Sequence, residues 1–251
     1  MTKKDNIGIC KYCDTDKKLM DAHILPKCFF KTLKKGNDFD FLVYNSRYKG
    51  KIKSGVFDRN ILCVDCDNLF SKYEKETIKL FRLDLSKYVK SISDCSGTAF
   101  YYSIPDNVIN PKYIVLFFIS FLWKCSISTR TECSDINLGI YENIFKNALK
   151  TETIPDCFDI TMAYFCDDAT GKESTSFPIR TRSENGINYY EFYFNGFDIR
   201  IKVDKRTINP FKISSIQNKG ILILERKDFA NCSYRKSLIK MAHKNYNKEV
   251  K

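Results

Sequence analysis

Apolar and polar positions recur with a helical period in three parts of this chain of 251 residues. Between residues 66 and 92, apolar side chains return every three or four positions, which predicts one long amphipathic helix. An almost continuous apolar run over 113–123, preceded by Pro111, predicts a second helix that is buried. This run is shorter than a bilayer span, which needs about 20 residues. A third helix is expected over 135–149.

Other segments carry the β-branched and aromatic residues that favour strands. Residues 39–45 and 49–57 predict a hairpin, and residues 18–25 predict a strand that Pro26 ends. Further strands are expected at 99–104, 158–166, 189–194, 198–203 and 220–225. A brief helix over 27–33 and a basic helix over 233–244 complete the pattern.

These elements predict an α+β fold with two units. Residues 1–95 form the first unit, and residues 96–251 form an α+β unit with a mostly antiparallel sheet. A short polar segment that ends in a glycine, 93–97, separates them. The second unit carries no motif that distinguishes among ligand recognition, regulation and oligomerisation. It is expected to provide the interface for a homodimer or for a partner protein.

Composition narrows the class of protein. Hydrophobic residues make up 43% of the chain and aromatic residues 14%, which excludes a disordered chain. The net charge of +12 indicates an anionic partner such as nucleic acid, although a lysine-rich surface that only keeps the protein soluble fits equally well. The odd number of cysteines, 11, and a polar start without an apolar signal segment favour a cytoplasmic protein and no membrane partner.

Two CxxC pairs, Cys10 with Cys13 and Cys63 with Cys66, have the spacing of a structural zinc site. Each pair places two thiolates on a tight turn, and four thiolates close a tetrahedral coordination sphere. The remaining cysteines are better explained as small buried hydrophobic residues: Cys28, Cys95, Cys125, Cys133, Cys157, Cys166 and Cys232. We therefore expect a Zn²⁺ ion that organises the first unit and takes no part in chemistry.

The first third of the chain resembles the zinc-containing branch of the HNH, or ββα-metal, endonucleases. The resemblance depends on the segment His23-Ile24-Leu25-Pro26-Lys27 between the two CxxC pairs and on Leu62-Cys63-Val64-Asp65-Cys66-Asp67, which leads into a helix. It implies a zinc-stabilised module of two strands and a helix, and cleavage of phosphodiester bonds with a second, divalent cation.

The resemblance also implies roles for individual residues. His23 matches the general base that activates water, and an imidazole suits this role because its pKa of about 6.5 lies near neutral pH. Asn60 matches the asparagine that holds the loop bearing the histidine. Asp67 matches a ligand of the catalytic cation, which we expect to be Mg²⁺ or Mn²⁺.

The sequence departs from the family pattern directly before the histidine, where many active members have an acidic metal ligand and this chain has Ala22. Asp21 is a substitute ligand if it lies on the same side of a strand as His23, since residues two apart share a face. An ordinary solvated acid is the competing interpretation of Asp21. For His23 the competing interpretation is a ring that only braces the zinc loop through a hydrogen bond.

Basic residues surround the predicted site and alternate with aromatic residues. We expect them to contact phosphates of double-stranded DNA without reading its sequence, although a solvated lysine-rich hairpin has the same composition. The residues are Lys27, Lys31, Arg47, Lys49, Lys51, Lys53 and Arg59. The chain is thus expected to be an endonuclease, with a role in defence against foreign DNA implied by the resemblance. The alternative is a zinc module that binds nucleic acid or a partner protein without cutting.

Overall fold

The computed structural model describes residues 6–25, 41–44, 49–52, 55–94, 97–166, 177–182, 186–194, 196–206 and 220–226. The helices expected over 27–33 and 233–244 lie outside these residues. Within them the chain mixes helices and strands, as the sequence predicts. No helix of the described residues is long and apolar enough to span a membrane.

Three two-stranded antiparallel pairs form the beginning of the chain. Strand β1 (Ile7–Ile9) pairs with β2 (Asp16–Lys18), β3 (Ala22–Leu25) with β6 (Val56–Asp58), and β4 (Phe41–Tyr44) with β5 (Lys49–Ile52). The β4–β5 pair confirms the hairpin that the sequence predicts, but its second strand was predicted too long, because Val56 and Phe57 belong to β6 and pair with β3. The single strand expected over 18–25 is wrong, because Leu19 leaves β2 to form a bridge with Cys63 before β3 begins.

The helix predicted over 66–92 is also wrong in extent. The segment forms α1 (Val64–Leu69), α2 (Ser71–Phe81), a 3₁₀ turn (Leu85–Tyr88) and strand β7 (Val89–Asp94). The Asp84 carboxylate accepts hydrogen bonds from the backbone N–H and hydroxyl of Ser86, which starts the 3₁₀ turn. From residue 89 onward, pairing with a neighbouring strand overrides the helical period of the apolar residues.

A seven-stranded sheet dominates the rest of the described chain. Its further strands are β8 (Gly97–Pro105), β9 (Phe158–Phe165), β10 (Ile179–Arg182), β11 (Asn188–Phe194), β12 (Phe197–Val203) and β13 (Gly220–Arg226). The order is β10-β11-β12-β9-β13-β8-β7, and neighbours are antiparallel except for the parallel pair β9 and β13. The prediction of a mostly antiparallel sheet is confirmed. The division at residue 95 stays a prediction, although β7 and β8 from its two sides pair in this sheet.

Helix α3 (Pro111–Ile127) lies at the centre of the molecule and begins where Pro111 predicts. Its residues from Ile114 to Cys125 are all buried. On one side Phe121 packs against Phe192 of the sheet, with ring centroids 5.2 Å apart. On another side Trp123 packs against Tyr12 and Phe70, near the cysteines. The helix therefore joins the cysteine-bearing part of the chain to the sheet.

The third helix, α4 (Tyr141–Thr151), begins six residues later than the sequence predicts. The backbone before it turns at Gly139, which has a positive φ of 52°. The Asn137 side chain accepts a hydrogen bond from the Gly139 N–H and so stabilises this turn in place of a helical start.

Asp58, at the end of β6, ties the β3–β6 pair to the residues that follow α3. Asp58 is 2% exposed. Its carboxylate accepts hydrogen bonds from the Asn60 N–H, the Ser128 hydroxyl, and the N–H and hydroxyl of Thr129, at 2.7 to 3.0 Å. Burial alone would raise the pKa of Asp58, but these four donors outweigh it and hold the pKa below its usual value.

We expect Asp58→Ala to lower the free energy of unfolding by about 3 kcal/mol, because it leaves several buried donors without an acceptor. Urea unfolding at neutral pH measures this. Because the folded pKa is lowered, the contribution of the carboxylate is fully present above about pH 4 and is lost as the pH falls through the folded value. Asp84→Ala removes an exposed carboxylate and should cost less than about 1 kcal/mol. Equal losses in both variants would contradict the role of Asp58.

Candidate metal and catalytic centre

The first cysteine pair lies on the turn between β1 and β2. The Cys10 N–H donates to the Thr15 carbonyl (2.9 Å), and the Asp14 N–H donates to the Cys10 carbonyl (2.8 Å). Asp14 has a φ of 60°, a left-handed conformation that aspartate tolerates better than most residues. This turn brings Cys10 and Cys13 to the same side of the chain.

The second pair lies where α1 begins. Cys63 is the residue that caps the helix, and Cys66 lies in its first turn. Two backbone hydrogen bonds hold the residues before this helix against the β1–β2 segment. The Lys11 N–H, between the first two cysteines, donates to the Ile61 carbonyl, and the Met20 N–H donates to the Leu62 carbonyl. As a result the Cys63 N–H donates a hydrogen bond to the Cys10 sulfur, with the nitrogen 3.4 Å from Sγ.

The four sulfur atoms of Cys10, Cys13, Cys63 and Cys66 lie within 4.8 Å of one another, and three of the four cysteines are buried. A tetrahedral zinc site with Zn–S bonds of about 2.3 Å needs sulfur atoms about 3.8 Å apart, so the cluster fits this ion with small adjustments. A hydrogen bond with Thr15 lowers the pKa of Cys13 to about 6, which favours a thiolate, whereas burial raises the pKa of Cys66. The sequence prediction of a four-cysteine cluster is confirmed.

We expect the purified chain to contain one Zn²⁺ ion and Cys66→Ser to lose it, because three sulfur ligands hold the ion less tightly than four. Metal analysis by mass spectrometry measures the ratio of zinc to protein. Removal of zinc should also lower the unfolding temperature, since the ion links two segments 50 residues apart in sequence. The buried Cys157, outside the cluster, provides the control variant Cys157→Ser. Retention of zinc by Cys66→Ser would contradict the assignment.

His23 lies on β3 with its ring turned away from the core. Its neighbours Ala22 and Ile24 are completely buried, whereas 44% of the His23 side chain is exposed. The ring nitrogen Nδ1 lies 3.8 Å from Oδ2 of Asp67 on α1. The Asp67 carboxylate, with a smaller contribution from the charge of Glu74, raises the pKa of His23, against the effect of partial burial and of Lys124.

Asp67 directly follows the last cysteine of the cluster, and its carboxylate lies beside the His23 ring. Only 11% of its side chain is exposed. Its second oxygen, Oδ1, is buried and accepts no hydrogen bond within the described part of the chain. A buried carboxylate oxygen without a donor is unfavourable. A divalent cation with oxygen ligands would satisfy this atom, so the pair of His23 and Asp67 fits a second metal site.

Lys124 of α3 contacts both the main chain of β3 and a side chain of α2. Its ammonium donates to the main-chain carbonyl of His23 (2.6 Å) and to Oε1 of Glu74 on α2 (3.2 Å). The sequence alone assigns Lys124 no role, because it is the polar residue that directly follows the apolar run over 113–123. The signal in the sequence is a lysine between Trp123 and Cys125 inside the helical segment, because a charged residue among apolar neighbours indicates a buried polar contact.

The remaining residues assigned from the resemblance occupy different surroundings. Oδ1 of Asp21 accepts a hydrogen bond from Nε of Arg59 (2.7 Å), and Asp21 lies just before β3. Asn60 is exposed, and its N–H donates to Asp58. The structure thus brings His23 and Asp67 together, and it places Asp21 in an ion pair with Arg59.

Most of the basic residues expected to contact DNA fall outside the described side chains. Arg59 is described: it is exposed, and its guanidinium lies 5.9 Å from the centre of the Phe57 ring. The side chains outside the description are those of Lys27, Lys31, Arg47, Lys49, Lys51 and Lys53. Contact with nucleic acid through these residues stays a prediction.

Comparison of the chain with protein-family models, with curated proteins and with solved structures finds no match. The resemblance to the HNH endonucleases therefore stays a prediction, and the class defined here is an α+β protein with a four-cysteine cluster of metal-binding geometry.

Proposed function

We propose that the chain is a metal-dependent endonuclease of the HNH type, which hydrolyses phosphodiester bonds. The pair of His23 and Asp67 carries the proposal: a half-exposed imidazole lies 3.8 Å from a carboxylate whose other oxygen is buried without a donor in the described part of the protein. The elements that hold this pair, β3, β6 and α1, follow one another as strand, strand and helix, with the β4–β5 hairpin between the strands. This order agrees with the module that the resemblance implies.

Each residue has a distinct task in this reaction. The neutral imidazole of His23 accepts a proton from the attacking water, for which its partial exposure is suitable. Asp67 would hold Mg²⁺ or Mn²⁺, and the charge of that ion would stabilise the negative charge that develops on the phosphate. The four cysteines would hold Zn²⁺ in a closed site, which would fix the start of α1 and with it the position of Asp67.

The net charge of +12 supports a polyanionic substrate, and we propose double-stranded DNA. Defence against foreign DNA is the role that the family resemblance implies. The seven-stranded sheet among the described residues is proposed to recognise a ligand, regulate the site or bind another chain.

A second candidate function is a zinc module that binds nucleic acid or a partner protein without cutting. Two observations favour it. Ala22, at the position of the usual acidic ligand, has no ligand atom and is completely buried. The Asp21 carboxylate, the substitute suggested by the sequence, accepts a hydrogen bond from Arg59.

Cleavage of supercoiled plasmid distinguishes the two functions. We expect the native chain to nick the plasmid with Mg²⁺ or Mn²⁺ and to leave it intact without an added divalent cation. His23→Ala and Asp67→Asn should each reduce the rate by about 100-fold or more, because one removes the base and the other a charged metal ligand. Gel analysis of initial rates measures this.

Asp65→Asn is the matched control, since Asp65 lies two residues from Asp67 on the same helix but is exposed and pairs with Lys17. Its rate should stay within about twofold of native, as expected for a surface ion pair. Each variant must retain its zinc. A native chain that binds DNA but cuts it with neither cation would favour the silent zinc module, and undiminished cutting by His23→Ala would exclude His23 as the base.

A further inference from the structure

Lys124 is a charged residue in a fully buried place. It lies on α3, next to Trp123, and 1% of its side chain is exposed. A buried ammonium is costly unless hydrogen bonds and an opposite charge compensate for the lost water. An apolar residue at this position would avoid the free-energy cost of burying a charge, so the contacts that the ammonium makes indicate why a lysine is present.

The contacts of Lys124 converge on the strand that carries the candidate base. The ammonium donates to the His23 carbonyl at 2.6 Å and to Glu74 at 3.2 Å, and it lies 5.3 Å from the centre of the Phe70 ring. A carboxylate and the face of an aromatic ring both stabilise a cation. Glu74 and Phe70 therefore hold the ammonium in place, and the remaining strong bond goes to the main chain of His23.

The backbone of β3 is irregular at the same point. His23 is paired with Phe57 of β6, but the register of the pair shifts between His23 and Leu25. Such an irregularity interrupts the ladder of hydrogen bonds and often changes the direction of a side chain. At this position the His23 carbonyl accepts its hydrogen bond from Lys124, a residue 101 positions later in the chain.

We propose that Lys124 is a positioning residue for His23. Its ammonium fixes the carbonyl of His23 at the irregular point of β3 and so holds the imidazole beside Asp67. The inference rests on the proposed function for its catalytic consequence. It also means that the site of the first unit is completed by a residue of the second, because α3 supplies the donor.

Kinetics of full-length variants test the proposal. Lys124→Met keeps the length of the side chain but removes the donor, and we expect kcat to fall by about 10-fold or more with KM nearly unchanged, because misplacement of a reacting group lowers the rate of the chemical step. Lys79→Met is the matched control. Lys79, on α2, also donates to a main-chain carbonyl, that of Val108, but its side chain is 53% exposed. Its kcat should stay within about twofold of native.

The double variant Glu74→Gln with Lys124→Met separates positioning from an unpaired charge. Lys124→Met alone leaves the Glu74 carboxylate buried without its cation, which could lower activity by itself. The double variant has no unpaired charge, and replacement of a buried ion pair by neutral residues is usually tolerated by the fold. We expect its kcat to remain as low as that of Lys124→Met. Recovery of native kcat in the double variant would overturn the proposal.

A measurement without cleavage keeps the proposal separate from the proposed function. His23-Ile24 is the one His-Ile pair in the sequence, so labelling histidine carbonyls with ¹³C and isoleucine amides with ¹⁵N gives one correlated NMR signal. Loss of the hydrogen bond should move the His23 carbonyl signal upfield in the double variant and leave it unchanged in Lys79→Met. An unchanged signal in the double variant would overturn the proposal. A native chain that does not cleave would overturn the endonuclease instead, and the NMR result would still decide the contact.

Discussion

The burial of residues 114–125 of helix α3 is the constraint on which the other parts of this protein depend. A helix that is apolar on every side is stable only if other elements cover every side. The sheet covers one side through Phe192, and Tyr12 and Phe70 cover another. Cys10 near one end of the chain and Ile223 near the other consequently belong to one continuous hydrophobic core.

Two buried charges of opposite sign join the end of α3 to the β3–β6 pair. Lys124 donates to the main chain of β3, and Asp58 of β6 accepts from Ser128 and Thr129, which directly follow the helix. Each strand of the pair thus has its own polar bond to the same end of α3. Since buried polar bonds are directional, they fix the position of the strands more closely than apolar packing does.

Helix α1 places the sulfur cluster and the His23–Asp67 pair on different sides of a single turn. Successive residues of a helix point in directions about 100° apart. Cys66 therefore joins the sulfur cluster while Asp67 faces His23. The sulfur cluster is closed by four ligands of one kind, whereas the carboxylate of Asp67 keeps an oxygen without a donor in the described residues. A closed shell of four thiolates is typical of zinc ions that stabilise a fold, whereas Mg²⁺ and Ca²⁺ prefer oxygen ligands such as a carboxylate.

Features that depend on local spacing can be predicted from the amino-acid sequence of this protein. Paired cysteines three apart predict the metal cluster, Pro111 predicts the start of α3, and segments rich in β-branched and aromatic residues predict most strands of the sheet. Features that depend on partners far away in the sequence become visible only in the folded chain. Residues 89–94 became a strand because β8 offers backbone partners, against their helical period. Folding removes the ammonium of Lys124 from water and leaves Glu74 and the His23 carbonyl as its acceptors. These acceptors lie 50 and 101 positions away in the sequence, so local spacing cannot predict the contacts.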